Sequence, residues 1–335
     1  ADGGAYHPAP EWMDNIPHPV EQSRGQTGSG DDFSPGWFEL PLAAGERRRV
    51  WVSAEPEPHA QTVQASESPA SQPDSRPAVF GDDDAFGRQL LRAVRAYVVR
   101  RDDGKTVIAG YPWFLDWGRD SLIAARGLLA GGFVPEVRDL ALVFARFEQD
   151  GTLPNTIHGS DASNRDTSDA PLWFGVVCEE LAGIEGDGFY TTRVKPGGRT
   201  MREVLASIAT HFVRGTPNRI RMDADSALVW SPSHFTWMDT NYPAGTPREG
   251  YPVEIQALWF RLLRQLARIS TGDEQTRWAD LAQRAAASFE RLFWSEDCGW
   301  FADVLLAGEG APAAQATRDD ALRSNCLIPV ALGLV

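Results

Sequence analysis

From residue 81 onward, apolar positions recur at three- and four-residue steps. The segment DDDAFGRQLLRAVRAYVV opens with acidic residues suited to a helix N-terminus, and Phe86, Leu90, Leu91, Val94 and Val98 keep the helical spacing. The same period predicts helices over 119–130, 135–149, 168–183, 200–214, 252–270 and 273–294, with another beginning near 320. Pro135 fits a first helical turn, and Thr200 and Asp273 fit N-caps. Strand pattern in this region is confined to 219–230, where RIRMD and SALVW read as a small hairpin. Short loops alternate with long ones, and the long ones (101–118, 150–167, 184–199, 215–251) hold most of the unusual residues. This alternation predicts a mainly α fold, a toroid of helical hairpins whose site-bearing loops share a face.

Upstream the texture changes. Residues 1–30 lack periodicity and read as loop. In PGWFELPLAAGERRRVWVSAEP, Trp37, Phe38 and Leu40 form one strand-like piece and Val50, Trp51 and Val52 another, around the turn AAGE. Residues 1–56 therefore read as the C-terminal tail of a β domain. Residues 57–80, rich in Ser, Pro and Gln, are too polar to bury a core and read as a linker. Residues 81–335 form the helical domain.

Composition narrows the chemistry. The 335 residues are 42% hydrophobic, enough for a sizeable core. A net charge of -14 disfavours nucleic-acid phosphates and anionic lipid. No apolar run reaches the roughly 18 residues of a membrane span. Three Cys without CxxC spacing suit a reducing cytoplasm. His158, His211 and His234 do not pair at ligand spacing, so no metal is expected. With no Gly-rich phosphate loop either, no cofactor is expected. The chain begins with Ala and stops inside the apolar run LIPVALGLV, so a fragment is expected.

Carboxylates set among aromatics remain. GYPWFLDWGRDSL places Tyr111, Trp113, Phe114 and Trp117 beside Asp116, Arg119 and Asp120 at a helix start, where unpaired N–H groups favour a carboxylate. Aromatic faces cover the C–H side of a pyranose, and an Arg/Asp pair hydrogen-bonds its hydroxyls. A buried structural ion pair is the alternative. Asp169 precedes Ala170 and Pro171, the position of an N-cap, with Trp173 and Phe174 turned to core or cleft. Trp237 and Asp239 precede an irregular loop, and Glu254 opens a helix with Trp259 five residues on. Aromatic surroundings raise a carboxyl pKa, which a glycosidase acid requires. The plain alternatives are a turn residue for Asp239 and a first-turn Glu for Glu254.

Taken in order, GYPWFLDWGRD, LPN, DAPLWF, TWMD, TPREGYPVEIQALW and LRSN resemble the glucosidase region of glycogen debranching enzymes, the amylo-α-1,6-glucosidases. DDFSPGWFELPL, 31–42, resembles the end of the β domain that precedes it in bacterial and archaeal members. The resemblance implies an (α/α)6 toroid, here incomplete at its C-terminal end. It implies release of glucose from the α-1,6 branch stubs of glycogen-type glucans, with inversion. Asp239 then becomes the general acid, with the base beyond Val335, and the fragment alone would be inactive. Arg119 and Asp120 would grip the terminal glucose, with Trp117, Asp169, Trp237, Arg248 and Glu254 as further substrate-binding residues. NRDTSDAP departs from the family pattern at Arg165 and Asp166. Rival readings are a glucoamylase-, trehalase- or kojibiose-type hydrolase, a sugar epimerase or isomerase, and a non-catalytic glycan-binding relative.

Overall fold

The computed structural model describes residues 4–23, 27–48, 84–111, 114–240 and 245–334. Trp113, the strand-like piece at 50–52 and the segment 57–80 lie outside them. The chain divides into two units, Ala1–Asp74 and Ser75–Val335.

In the first unit, β1 (Ala5–Pro17) pairs antiparallel with β2 (Ser29–Glu39), and the short helix α1 (Pro19–Ser23) lies between them. Ala5–Pro17 is thus strand and not loop. The register shifts between Pro8 and Glu11 and again between Met13 and Ile16. The first shift contains Pro10, which has no N–H to give to a ladder. Trp37 and Phe38 pair with His7 and Tyr6 on β1.

The second unit is mainly helical. Its helices are α2 (Ala85–Tyr97), α3 (Gly118–Ala130), α4 (Val134–Phe147), α5 (Ala170–Glu185), α6 (Met201–Arg214), α7 (Val253–Ile269), α8 (Gly272–Phe293) and the short α9 (Ile328–Ala331). The last begins later than the period suggests: Ser324–Leu327 is a 3-10 turn, and the α-helix starts at Ile328. Thr200 caps α6 through a capping box with Glu203. Asp273 does not cap α8. Thr271 holds that position, and Asp273 sits in the first turn.

Packing follows alternate helices. Helix α3 packs on α5, and α5 on α7, while α4, α6 and α8 pack beside them. Helix α5 is buried along most of its length, from Ala170 to Ala182. Its sequence APLWFGVVCEELA is apolar nearly all round, as a helix enclosed on all sides must be. Phe144, Phe174, Phe212 and Trp259 are fully buried in the resulting core. Trp259 stacks on Phe212 and donates to the Ala227 carbonyl, so it is a core residue rather than a neighbour of the cavity described below.

Strands in this unit are short and more numerous than the one hairpin expected. That hairpin is present as β7 (Arg221–Met222) and β8 (Val229–Trp230). Others are β3 (Val98–Arg101) with β4 (Gly104–Val107), β5 (Asp116–Trp117) with β6 (Thr156–Ile157), and β10 (Trp294–Ser295) with β11 (Trp300–Phe301). A three-stranded sheet joins β9 (Gly250–Pro252), β12 (Val304–Leu306) and β13 (Thr317–Asp319), with β12 central. Two to four residues are too few to establish a period of two. Among the described residues, no helix is long and apolar enough to cross a membrane.

Candidate active site

A cavity of about 1120 Å³ opens within the second unit. Helices α2 and α3 give it an apolar wall, including Val94, Tyr97 and Ile123. Phe114, Trp117, Trp173 and Trp237 add aromatic rings. Arg119, Asp120, Asp169, Asp239 and Glu254 supply the charges. Every predicted site residue except Arg248 lines this space.

Trp117 and Arg119 reach the cavity because β5 runs straight into α3. The junction requires Gly118: a Cβ there would lie 2.4 Å from the Pro154 carbonyl oxygen of the LPN loop. Gly118 donates its N–H to the Asn155 carbonyl instead, at 2.9 Å. Asp116, one residue before Trp117, takes no part. It is buried and gripped by both nitrogens of the Arg101 fork, an internal ion pair.

Arg119 is 7% exposed and ties two carboxylates together. Its Nε donates to Asp169 Oδ2 at 2.5 Å, and a terminal nitrogen donates to Asp239 Oδ2 at 2.9 Å. Both partners hold the guanidinium protonated, raising its pKa against the cost of burial. Asp169 occupies the N-cap position of α5, yet its side chain makes no cap bond. It faces Arg119 and accepts from the Thr167 hydroxyl at 2.7 Å, while Thr167 Oγ1 accepts from the Ala170 N–H. Trp173 lies at the cleft and Phe174 in the core.

Asp120 stands on the open side of the cavity. Partial desolvation and the nearby Asp169 and Asp239 push its carboxyl up, with Arg119 acting against them. Asp239 lines the cavity, and its other oxygen makes no hydrogen bond among the described residues.

Glu254 lines the cavity from the first turn of α7, but Arg248 holds it from behind. Arg248 is itself buried and reaches Glu254 through two nitrogens, one at 2.6 Å from Oε2. Burial raises the Glu254 carboxyl more than the arginine lowers it. Arg248 also grips Asp303, Nε to Oδ2 at 2.8 Å. It is therefore a support for the wall and not part of it.

Asp303 was missed by the sequence reading. It is fully buried and accepts from Arg248, from Arg323 at 2.7 Å and from Asn325 at 2.7 Å. Its signal was a lone carboxylate in the run WFADVLL, between the buried Ala302 and Val304. A charge in such a setting has to be paired. Asn325, in the LRSN motif, lines the cavity and accepts from Trp237 Nε1 at 2.7 Å. Arg165, unusual in the sequence, serves the backbone: it donates to the carbonyls of Thr152 and Phe147. Among the described residues no cluster of His, Cys, Asp or Glu could hold a metal ion.

The model of the amylo-alpha-1,6-glucosidase family matches residues 92–334. The chain belongs to that family. The first unit contains a second match, residues 1–49, to a family described as glycogen debranching enzyme N terminal. Together these make the chain a glycogen debranching enzyme region. The amylo-alpha-1,6-glucosidase match takes in the whole cavity, from Val94 to Ile328. No curated protein matches the chain. Similar solved structures include a rhamnosidase from Klebsiella oxytoca with rhamnose bound, at 13% identity and TM-score 0.42, over 64% of this chain and 38% of that one. A GH78 family rhamnosidase of Bacillus sp. GL1 shares 16% identity at TM-score 0.46, over 65% and 21% respectively. A family 76 glycoside hydrolase from a bovine Bacteroides thetaiotaomicron strain shares 13% at TM-score 0.44, over 73% and 50%. This chain thus spans half or less of each of those proteins.

Proposed function

We propose that the cavity binds the terminal glucose of an α-1,6 branch stub on a glycogen-type glucan and hydrolyses it with inversion. The observation that carries this reading is the placement of Asp239, on the cavity wall beside the half-exposed Trp237 and anchored by Arg119. Asp239, as a carboxylic acid, donates its proton to the glycosidic oxygen while the bond from that oxygen to the anomeric carbon breaks. Water, deprotonated by a second carboxylate, adds to the opposite face of the ring. Asp120 accepts from the glucose hydroxyls, and Trp117 and Trp237 cover the ring's apolar side. Asp169 and Glu254 each have both carboxylate oxygens engaged, by Arg119 and Thr167 in the one case and by Arg248 in the other, which suits them to holding the wall rather than to acting as the base.

The packing of α3 on α5 and of α5 on α7 supports an (α/α)6 toroid for the second unit. The three cysteines are free thiols, which suits a reducing cytoplasm.

The test uses the full-length protein and a phosphorylase limit dextrin trimmed to single glucose stubs. The anomer released is followed by NMR. Initial β-glucose, lost in Asp239→Asn, is the expected result. Turnover unchanged in that variant would remove Asp239 from the role. Cleavage of α,α-trehalose in place of the stub would move the enzyme to a different substrate class.

A further inference from the structure

The segment that carries the acid has little backbone support. Phe235 accepts from the Ser168 N–H and His234 donates to the Pro247 carbonyl. From Thr236 to Thr240, no backbone-to-backbone hydrogen bond is made among the described residues. Side chains hold it instead. Arg119 holds Asp239 from one side. On the other side three contacts converge: Arg248 donates to Thr236 Oγ1 at 3.2 Å, Asn325 accepts from Trp237 Nε1, and Asn325 Nδ2 lies 3.4 Å from Met238 Sδ.

Both Arg248 and Asn325 are oriented by the same carboxylate, Asp303. It accepts from Arg248 on both oxygens, at 2.8 and 3.1 Å, and from Asn325 Nδ2 at 2.7 Å. That last bond fixes which way the amide points. With its nitrogen committed to Asp303, Asn325 presents its oxygen to the Trp237 indole. Asp303 is itself immobilised by a second arginine, Arg323. A buried carboxylate saturated in this way has one orientation, and so do the groups bound to it.

We propose that Asp303, acting through Asn325 and Arg248, is the positioning residue that sets Trp237 and the general acid Asp239 against the substrate. This rests on the reading of Asp239 as the acid. Asp303 touches no substrate. Its effect is on the alignment of proton transfer, where a displacement of about 1 Å costs on the order of 100-fold in rate.

A leaving group that needs no proton separates positioning from folding. The full-length enzyme is assayed on the α-1,6 stub and on α-glucosyl fluoride, whose fluoride departs with little help from an acid. Asp239→Asn is the reference: stub hydrolysis should fall by about 100-fold or more, with the fluoride largely spared. Asn325→Leu, which cuts the relay between Asp303 and Trp237, should lower kcat on the stub by about 10-fold and change the fluoride rate less than about threefold, while Trp237→Phe, which cuts the same indole bond from the other side, is read on the stub alone. The double variant should be no worse than the poorer single one, because the two share one interaction. Asp303→Asn should show the same split more strongly. If that variant does not fold, Asn325→Leu still carries the test. Equal losses on stub and fluoride in Asn325→Leu would overturn the inference, as would additive losses in the double variant. An Asp239→Asn enzyme that cleaves the stub at the wild-type rate would overturn the functional reading, and the inference with it.

Discussion

Arg119 sits between Asp169 and Asp239 with little access to water. Removing one carboxylate leaves a buried cation with half its partners, and such losses are large because the remaining charge is not solvated. Asp169→Ala should therefore destabilise the protein by about 3 kcal/mol, read from urea midpoints at neutral pH. A loss below about 1 kcal/mol would mean that Asp239 alone satisfies the guanidinium. The residues of this cluster stood out in the sequence as charges among aromatics, but their partnerships did not. Asp116 and Asp120 flank the same junction, and nothing local distinguishes the one locked to Arg101 from the one open to the cavity. Asp303 was hidden for a related reason. Its partners Arg248, Arg323 and Asn325 lie 20 to 55 positions away, and a single sequence does not record such distances.

At the level of elements, the long helices were legible because each presents several turns of one period. The strands were not. Most residues of β1 are exposed on both faces, so no alternation of apolar and polar marks it. The two-residue strands of the second unit are too short to carry a pattern, and tertiary pairing alone defines them. One such pairing has a direct test. The β5–α3 junction passes so close to Pro154 that an added methyl group meets a backbone oxygen. Gly118→Ala should cost about 1–3 kcal/mol and shift Trp117 and Arg119 together. Denaturation would show the first effect, and quenching of tryptophan fluorescence in the cavity the second. Unchanged stability would show that the LPN loop yields easily.

For the molecule as a whole, the excess of 46 acidic over 32 basic side chains makes the response to pH informative. Asp103 and Asp319, each beside an arginine, bind protons less tightly when folded, but Asp120 binds one more tightly than its ordinary value of 3.8. Its contribution to stability is complete below that value and is lost as pH rises through the raised one. Asp120→Asn lacks this loss. As pH rises above the ordinary carboxylate value, the variant should gain stability relative to the wild type. Urea midpoints for the two proteins that run parallel over this range would contradict the shift.

The bonds of Arg119 also bear on how the chain reaches its native state. They span 50 positions to Asp169 and 120 to Asp239. Contacts within a helical hairpin close short loops and form quickly, whereas these close long ones and must wait for several hairpins to dock. Refolding should therefore restore helical circular dichroism before it restores a competent cavity. In native-state hydrogen exchange, the loops that carry Asp169 and Asp239 should open at a lower free energy than the middle of α5.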